Sequence, residues 1–96
     1  MELSIFARFH AKEDCEAAVA TVLREVVGPT REEQGCLDIQ AFSSIRNPRL
    51  FYIYSRWRNE AAFDNHAGLP HTVRFVSQME TLIDHPLEVT RARPLG

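Results

Sequence analysis

The stretch that decides the fold is Leu50-Phe-Tyr-Ile-Tyr-Ser-Arg-Trp57, the most apolar strand-like segment of this 96-residue chain. Successive side chains of a β-strand point to opposite faces of its sheet. One face therefore carries Leu50, Tyr52 and Tyr54, and the other carries Phe51, Ile53, Ser55 and Trp57. Because both faces are apolar, each must be buried against another element or another chain. We expect helices on the face of Trp57, bordering a substrate pocket, and the sheet of a second copy on the face of Tyr52.

Three further strands are predicted around this one. Residues 3–10 alternate apolar and mixed positions, and residues 36–45 and 87–93 also have strand-like patterns. The turn signal Arg46-Asn-Pro-Arg49 joins the second and third strands in a hairpin.

Helical periodicity separates the strands. Residues 13–27 form an amphipathic stripe that Gly28-Pro29 is expected to interrupt, leaving a short turn before Gly35. Asn59 is a suitable N-cap for a short helix over 60–67, and a last helix is predicted from Pro70 to about Ile83.

The resulting order, β-α-β-β-α-β, is that of the ferredoxin-like α+β fold. That topology predicts a four-stranded antiparallel sheet in one domain over 1–96, with the first and third strands in the middle. These two strands are also the most apolar.

Composition excludes several classes of function. The net charge of −2 leaves no basic footprint for nucleic acid or for a membrane surface, and no run approaches ~20 apolar residues. The chain enters strand-like sequence at Met1-Glu-Leu3 without a basic segment, so we expect no signal peptide and a cytoplasmic location. There, Cys15 and Cys36 are expected as free thiols rather than a disulfide.

The segment from Trp57 to His71 is richest in chemistry. Trp57 and Phe63 are suited to an apolar wall for a flat organic substrate, and imidazoles at His66 and His71 are suited to acid–base catalysis. The alternative is structural: His66 could satisfy the end of its helix, and His71 could be exposed in the next.

No metal or cofactor is expected. His66 and His71 are five residues apart across a helix break, no spaced carboxylate pair completes a ligand set, and His10 and His85 come from distant segments. No Ser-His-Asp pattern, phosphate loop or dinucleotide fingerprint is present.

Two arginines lie within the apolar strands. Arg8 and Arg56 could form salt bridges at a dimer contact, or could stabilise an anionic substrate or intermediate.

Several motifs in order give the chain a family resemblance. They are Glu33-Gln-Gly-Cys36, Phe51-Tyr-Ile-Tyr54, Ala61-Ala-Phe63 after Trp57, and His66-x-x-x-Pro70-His71. The chain resembles the antibiotic-biosynthesis-monooxygenase-like family of dimeric α+β barrel proteins from Leu3 to about Pro94.

The resemblance implies a homodimer with a pocket in each subunit. Monooxygenases of this family oxidise phenolic or quinol-type aromatics with dioxygen, without metal or bound cofactor. By position, it implies that Trp57, Phe63 and Ile53 line the pocket, and that His66 and His71 match the family's histidines.

Three positions depart from the family pattern, among them Ile53, which stands where one aromatic-oxidising member has a polar amide. Ser55 stands where an acidic residue is common, and Leu69 replaces a capping Thr or Ser, which suggests that Leu69 serves the pocket wall. Two other functions stay open. One is an isomerase of a phosphorylated carbonyl metabolite, with an arginine such as Arg8 holding the phosphate; the other is a small-molecule binding module without catalysis.

Overall fold

A computed structural model describes all residues 1–96. Its elements are β1 (Leu3–His10), α1 (Glu16–Arg31), β2 (Cys36–Ser43), β3 (Leu50–Trp57), α2 (Glu60–Ala67), α3 (Pro70–Glu80) and β4 (Glu88–Ala92). The order confirms the predicted ferredoxin-like α+β fold, with α2 and α3 together forming the second helical connection. None of the three helices has the length and apolar composition needed to cross a membrane.

The four strands form one antiparallel sheet in the order β2-β3-β1-β4. The prediction that the first and third strands are central is therefore confirmed. At the middle of the sheet Ala7 pairs with Ile53 on one side and with Val89 on the other.

The two faces of the sheet differ as the alternation predicts. Ile53, Ser55 and Trp57 are buried beneath the helices, in or beside a core that includes Phe9 of β1. On the opposite face, by contrast, Phe6 is 51% exposed.

Helix α1 corrects one expectation, because Gly28-Pro29 does not interrupt it. The helix continues to Arg31, with Pro29 in its last turn. The stripe of Val19, Leu23, Val26 and Thr30 stays buried through that turn. Proline removes a single backbone hydrogen bond, to the carbonyl four residues earlier, and Glu25 at that position is exposed to water.

The ends of other elements also differ from the prediction. Helix α3 ends at Glu80, and Ile83 instead forms an isolated β-bridge with Ala11. Strand β2 ends at Ser43, because the hydroxyl of Ser44 accepts hydrogen bonds from the backbone N–H groups of Arg46 and Asn47 and so stabilises a turn. Strand β4 is one residue shorter at each end than predicted.

Candidate active site

A cavity of about 250 Å³ lies between the buried face of the sheet and the helices. Twelve of its sixteen lining residues are hydrophobic, including Ile5, Ala7, Ile53, Phe63, Phe75 and Val89. Typical small-molecule sites span roughly 300–1,000 Å³. The volume therefore suits a ligand of one or two rings.

Four polar side chains interrupt the apolar lining: Thr30, Ser55, His66 and Thr72. None of the lining residues is an arginine or a lysine. The cavity therefore offers hydroxyl groups and one imidazole to a ligand, and no permanent positive charge.

Trp57 supports the wall from behind. It is only 1% exposed, and its Nε1–H donates a hydrogen bond to the Ser55 Oγ at 3.0 Å. Its ring centroid lies 5.6 Å from that of Phe63 and 4.6 Å from that of His66. The indole thus holds three cavity residues in place without lining the cavity itself.

Glu33 joins the two predicted histidines. Its Oε2 lies 2.7 Å from the Nδ1 of His66 and 2.7 Å from the Nε2 of His71. The side chains of Glu33 and His66 are only 10% and 11% exposed, which strengthens these hydrogen bonds. Glu33 is a site residue that sequence reasoning misses, and its place in the Glu33-Gln-Gly-Cys36 motif is the signal that could identify it.

Gly35 explains how Glu33 reaches this position. A Cβ on Gly35 would lie 2.4 Å from the Cβ of Ala62 on α2, closer than two carbons can approach. The backbone between α1 and β2 can pack against α2 because residue 35 has no side chain. This close approach sets the Glu33 carboxylate beside His66 and His71.

The contact with Glu33 determines what His66 can do. When the Nδ1–H donates to a carboxylate, the Nε2 is the free acceptor, and the carboxylate stabilises the imidazolium that protonation produces. The Thr72 Oγ1, 3.2 Å from the same Nδ1, further restricts the ring. His66 lines the cavity, so it is placed to accept a proton from a bound ligand.

The structure places one carboxylate, that of Glu33, against both His66 and His71, which the spacing of these residues in the sequence does not indicate. The distances from the Glu33 Oε2 to the two ring nitrogens are nevertheless those of hydrogen bonds. A tetrahedral ion bound at roughly 2.0–2.2 Å keeps its ligand atoms about 3.3 Å apart. The 2.7 Å separations are shorter. The absence of a bound metal stays a prediction.

His10 and His85, from distant segments of the chain, come together in a second histidine cluster. Their ring centroids are 4.5 Å apart, and the Oδ1 of Asp84 lies 2.6 Å and 2.7 Å from their Nδ1 atoms. Arg49 donates to the Oδ2 of the same carboxylate. Hydrogen bonds from the two histidines, aided by the Arg49 charge, lower the pKa of Asp84 to about 2.

The predicted site residues fall into two groups. Ile53, Ser55, Phe63 and His66 line the cavity, with Trp57 behind them. Phe51, Leu69, His71 and Arg8 do not line it. Phe51 is part of the core, Leu69 occupies the N-cap of α3, and His71 contacts the site through Glu33.

Arg8 lies on the opposite face of the sheet, with its side chain 53% exposed. The alternation of β1 explains this, since Ala7 and Phe9 face the helices. Arg8 and Arg56 lie 3.9 Å and 3.1 Å from Glu88 and Glu2 of their own chain. An arginine of β1 or β3 is therefore not available to hold an anion in this cavity.

The cysteines do not add a nucleophile. Cys15 and Cys36 are unpaired, as predicted. Burial, together with the nearby Glu33 charge, raises the pKa of the Cys36 thiol. The Cys36 thiol is therefore less readily ionised to the nucleophilic thiolate than a free cysteine is.

Comparisons with known proteins agree on one family. The sequence profile described as antibiotic biosynthesis monooxygenase matches residues 3–78. Protein Rv0793 of Mycobacterium tuberculosis, provisionally named a monooxygenase, is 31% identical over 97% of this chain and 91% of its own. Its solved structure superposes with a TM-score of 0.94 at 29% identity, covering 100% of this chain and 97% of that one. PA3566 of Pseudomonas aeruginosa superposes with a TM-score of 0.92 at 28% identity, over 99% and 95% of the two chains.

Proposed function

The chain belongs to the antibiotic biosynthesis monooxygenase family, and on this premise we propose that it oxidises a small phenolic or quinol-type aromatic with dioxygen. The proposed reaction uses no resident metal or organic cofactor. The observation that carries the proposal is the apolar cavity whose imidazole, His66, is held by the buried carboxylate of Glu33.

The first step is removal of a proton from the substrate. The phenolic O–H donates to the Nε2 of His66, which takes the proton as general base. Glu33 stabilises the resulting imidazolium through the Nδ1–H. The apolar walls then hold an electron-rich phenolate with little water around it.

The second step supplies the electrons from the substrate itself. The phenolate passes one electron to dioxygen, and the two radicals join through a new carbon–oxygen bond. Loss of the ring C–H proton and cleavage of the O–O bond release water and leave one oxygen atom on the ring. The balance is a phenol plus dioxygen giving a quinone plus water, so no external reductant is consumed.

The lining of the cavity favours this reaction over the isomerase alternative. A phosphorylated metabolite needs cationic partners, and no arginine or lysine lines the cavity. A binding module without catalysis would not need an oriented imidazole. The His66–Glu33 pair therefore supports catalysis rather than binding alone.

We also propose that the protein acts as a homodimer through the exposed face of its sheet. Phe6, Phe42 and Tyr52 are 51%, 46% and 38% exposed there. Phe6 packs against Tyr54 at a centroid distance of 5.1 Å. Exposed aromatic side chains of this kind on one face of a small domain support association with an identical face.

Oxygen consumption tests the enzymatic proposal. Purified protein is mixed with hydroquinones and naphthols of one or two rings, and uptake is followed with an oxygen electrode. Labelled ¹⁸O₂ should place one labelled atom in the product and one in water. Replacing His66 with Asn should reduce the rate by at least 100-fold, the lower range for loss of a general base.

His85→Asn is the matched control, because His85 is an exposed histidine on the other cluster. It should leave the rate unchanged. The proposal fails if no aromatic of this size raises oxygen uptake above that of buffer, or if both variants behave alike.

A further inference from the structure

The hydroxyl of Thr30 is the one buried side-chain polar atom that lacks a hydrogen-bond partner. Thr30 is 0% exposed, in the last turn of α1, and it lines the cavity. Buried hydroxyl groups are nearly always paired, since leaving one unpaired costs free energy. An unpaired group in a cavity wall points to a ligand atom as its missing partner.

The usual partner within a helix is not used. A threonine hydroxyl in a helix commonly donates to the carbonyl four residues earlier. Thr21, on the same helix, does so, with its Oγ1 3.0 Å from the carbonyl oxygen of Ala17. Thr30 makes no such bond, so its donor remains free.

The other polar groups of the cavity are engaged by protein atoms. The Ser55 Oγ accepts the Nε1–H of Trp57, and the Thr72 Oγ1 lies 3.2 Å from the Nδ1 of His66. In the proposed reaction the Nε2 of His66 takes the phenolic proton. Thr30 is thus the one cavity hydroxyl with no partner in the protein, as donor or as acceptor, and the one that most needs a polar atom of the substrate.

We propose that Thr30 donates a hydrogen bond to a second oxygen atom of the aromatic ring system, so that the site selects diols over simple phenols. This inference rests on the proposed function for the location of the substrate in the cavity. It adds that Thr30 is a specificity-determining residue, which binds the second oxygen of a quinol-type substrate while the first faces His66.

The test is anaerobic binding, measured by isothermal titration calorimetry under nitrogen. The probes are 1-naphthol, 1,4-dihydroxynaphthalene and 1,2-dihydroxynaphthalene. Without oxygen no turnover occurs, so the measurement is independent of the enzymatic proposal. The variants are Thr30→Val, which replaces the hydroxyl with a methyl group of the same shape, and Thr30→Ser, which keeps the hydroxyl. Thr21→Val is the matched control on the same helix.

The wild type should bind at least one diol about tenfold more tightly than 1-naphthol, the order expected for one buried hydrogen bond. Thr30→Val should lose that preference and keep its affinity for 1-naphthol. Thr30→Ser and Thr21→Val should retain the preference.

Equal weakening of all probes by Thr30→Val, or failure of the wild type to prefer either diol, overturns the inference. A preference that depends on Thr30 in a protein that consumes no oxygen upholds the inference and rejects the monooxygenase proposal. Oxygen uptake without such a preference rejects the inference about Thr30 and upholds the monooxygenase proposal.

Discussion

The Nδ1 of His66 lies 2.7 Å from the Oε2 of Glu33, although 33 positions separate the two residues in the chain. The pair links the turn between α1 and β2 to the end of α2, at the wall of the cavity. It orients the imidazole and places a counter-charge beside it. In the proposed reaction this contact gives the apolar cavity its general base.

Replacing Glu33 with Gln should lower kcat by about 100-fold with little change in KM. The neutral amide cannot stabilise the His66 imidazolium, which is the usual contribution of a buried carboxylate to such a pair. Oxygen consumption against substrate concentration separates the two constants. Nitrogen-15 NMR of the imidazoles should show loss of the single Nδ1–H tautomer of His66. Glu32→Gln, the exposed neighbour, is the control and should match the wild type. An unchanged kcat in Glu33→Gln would contradict the role of a Glu33-stabilised His66 as the general base.

Replacing Gly35 with Ala should destabilise the fold by roughly 1–3 kcal/mol, the typical cost of overpacking. The new methyl group would overlap the Cβ of Ala62 at 2.4 Å. Urea unfolding measures the change. Adding Ala62→Gly should remove the overlap and recover part of the lost stability. The recovery should be smaller by about 1 kcal/mol, because a glycine inside a helix is itself destabilising.

Gly28→Ala is the matched control for this experiment. A Cβ on Gly28 meets nothing within 4 Å apart from its chain neighbours, and the residue lies inside α1. The change should alter the free energy of unfolding by no more than about 1 kcal/mol, because the gain from replacing a helical glycine is opposed by contact of the new Cβ with the Cδ of Pro29. Equal effects of alanine at positions 28 and 35 would show that α2 does not pack as closely on Gly35 as described.

Replacing Thr30 with Val should raise the free energy of unfolding by about 1 kcal/mol. The substitution removes an unpaired buried hydroxyl and keeps the volume of the side chain. Urea unfolding without ligand gives the value. A clear loss of stability would indicate that the hydroxyl has a partner within the protein. A gain in stability together with loss of diol binding would be the trade-off expected at a functional site.

Replacing Asp84 with Asn should make the stability of the protein depend less on pH in the acid range. The folded pKa of Asp84, about 2, lies below its ordinary value of 3.8, so its charged form favours the folded state. That contribution is complete above about pH 4 and is lost as the pH falls towards 2. Urea midpoints of the wild type and Asp84→Asn should therefore differ at pH 6, differ less at pH 3 and converge near pH 2. Glu13→Gln, at an exposed position without an ion pair, should show no such convergence. A difference that widens as the pH falls would contradict the pKa assignment.

Replacing Phe6 with Glu should convert a dimer into monomers, because association through the exposed sheet face would bury the new charges without partners. Size-exclusion chromatography with light scattering at micromolar concentration measures the mass. Ile45→Glu is the control, since Ile45 is 98% exposed in the turn after β2. A wild type that is monomeric, or dimers in both variants, would reject the proposed interface.

Local pattern was sufficient for most of the fold. Alternation in 3–10 and 50–57 predicted β1 and β3 with their true bounds, and the cap at Asn59 predicted α2. These features depend on neighbouring residues, whose side-chain periodicity directly reports the backbone geometry. The prediction that Gly28-Pro29 interrupts the first helix was wrong, and it shows the limit of rules based on neighbouring residues. A local penalty of one hydrogen bond was outweighed by the burial of Thr30 and Val26 against the sheet.

The sequence by itself determined the order of the elements, the face of each central strand and the aromatic residues around Trp57. Only the tertiary structure decided that Glu33 joins His66 and His71, that Arg8 faces away from the cavity, and that the hydroxyl of Thr30 has no partner. The physical reason is that these are contacts between side chains brought together by the packing of separate elements. Their distances depend on strand register and helix position, which periodicity within a single element does not encode.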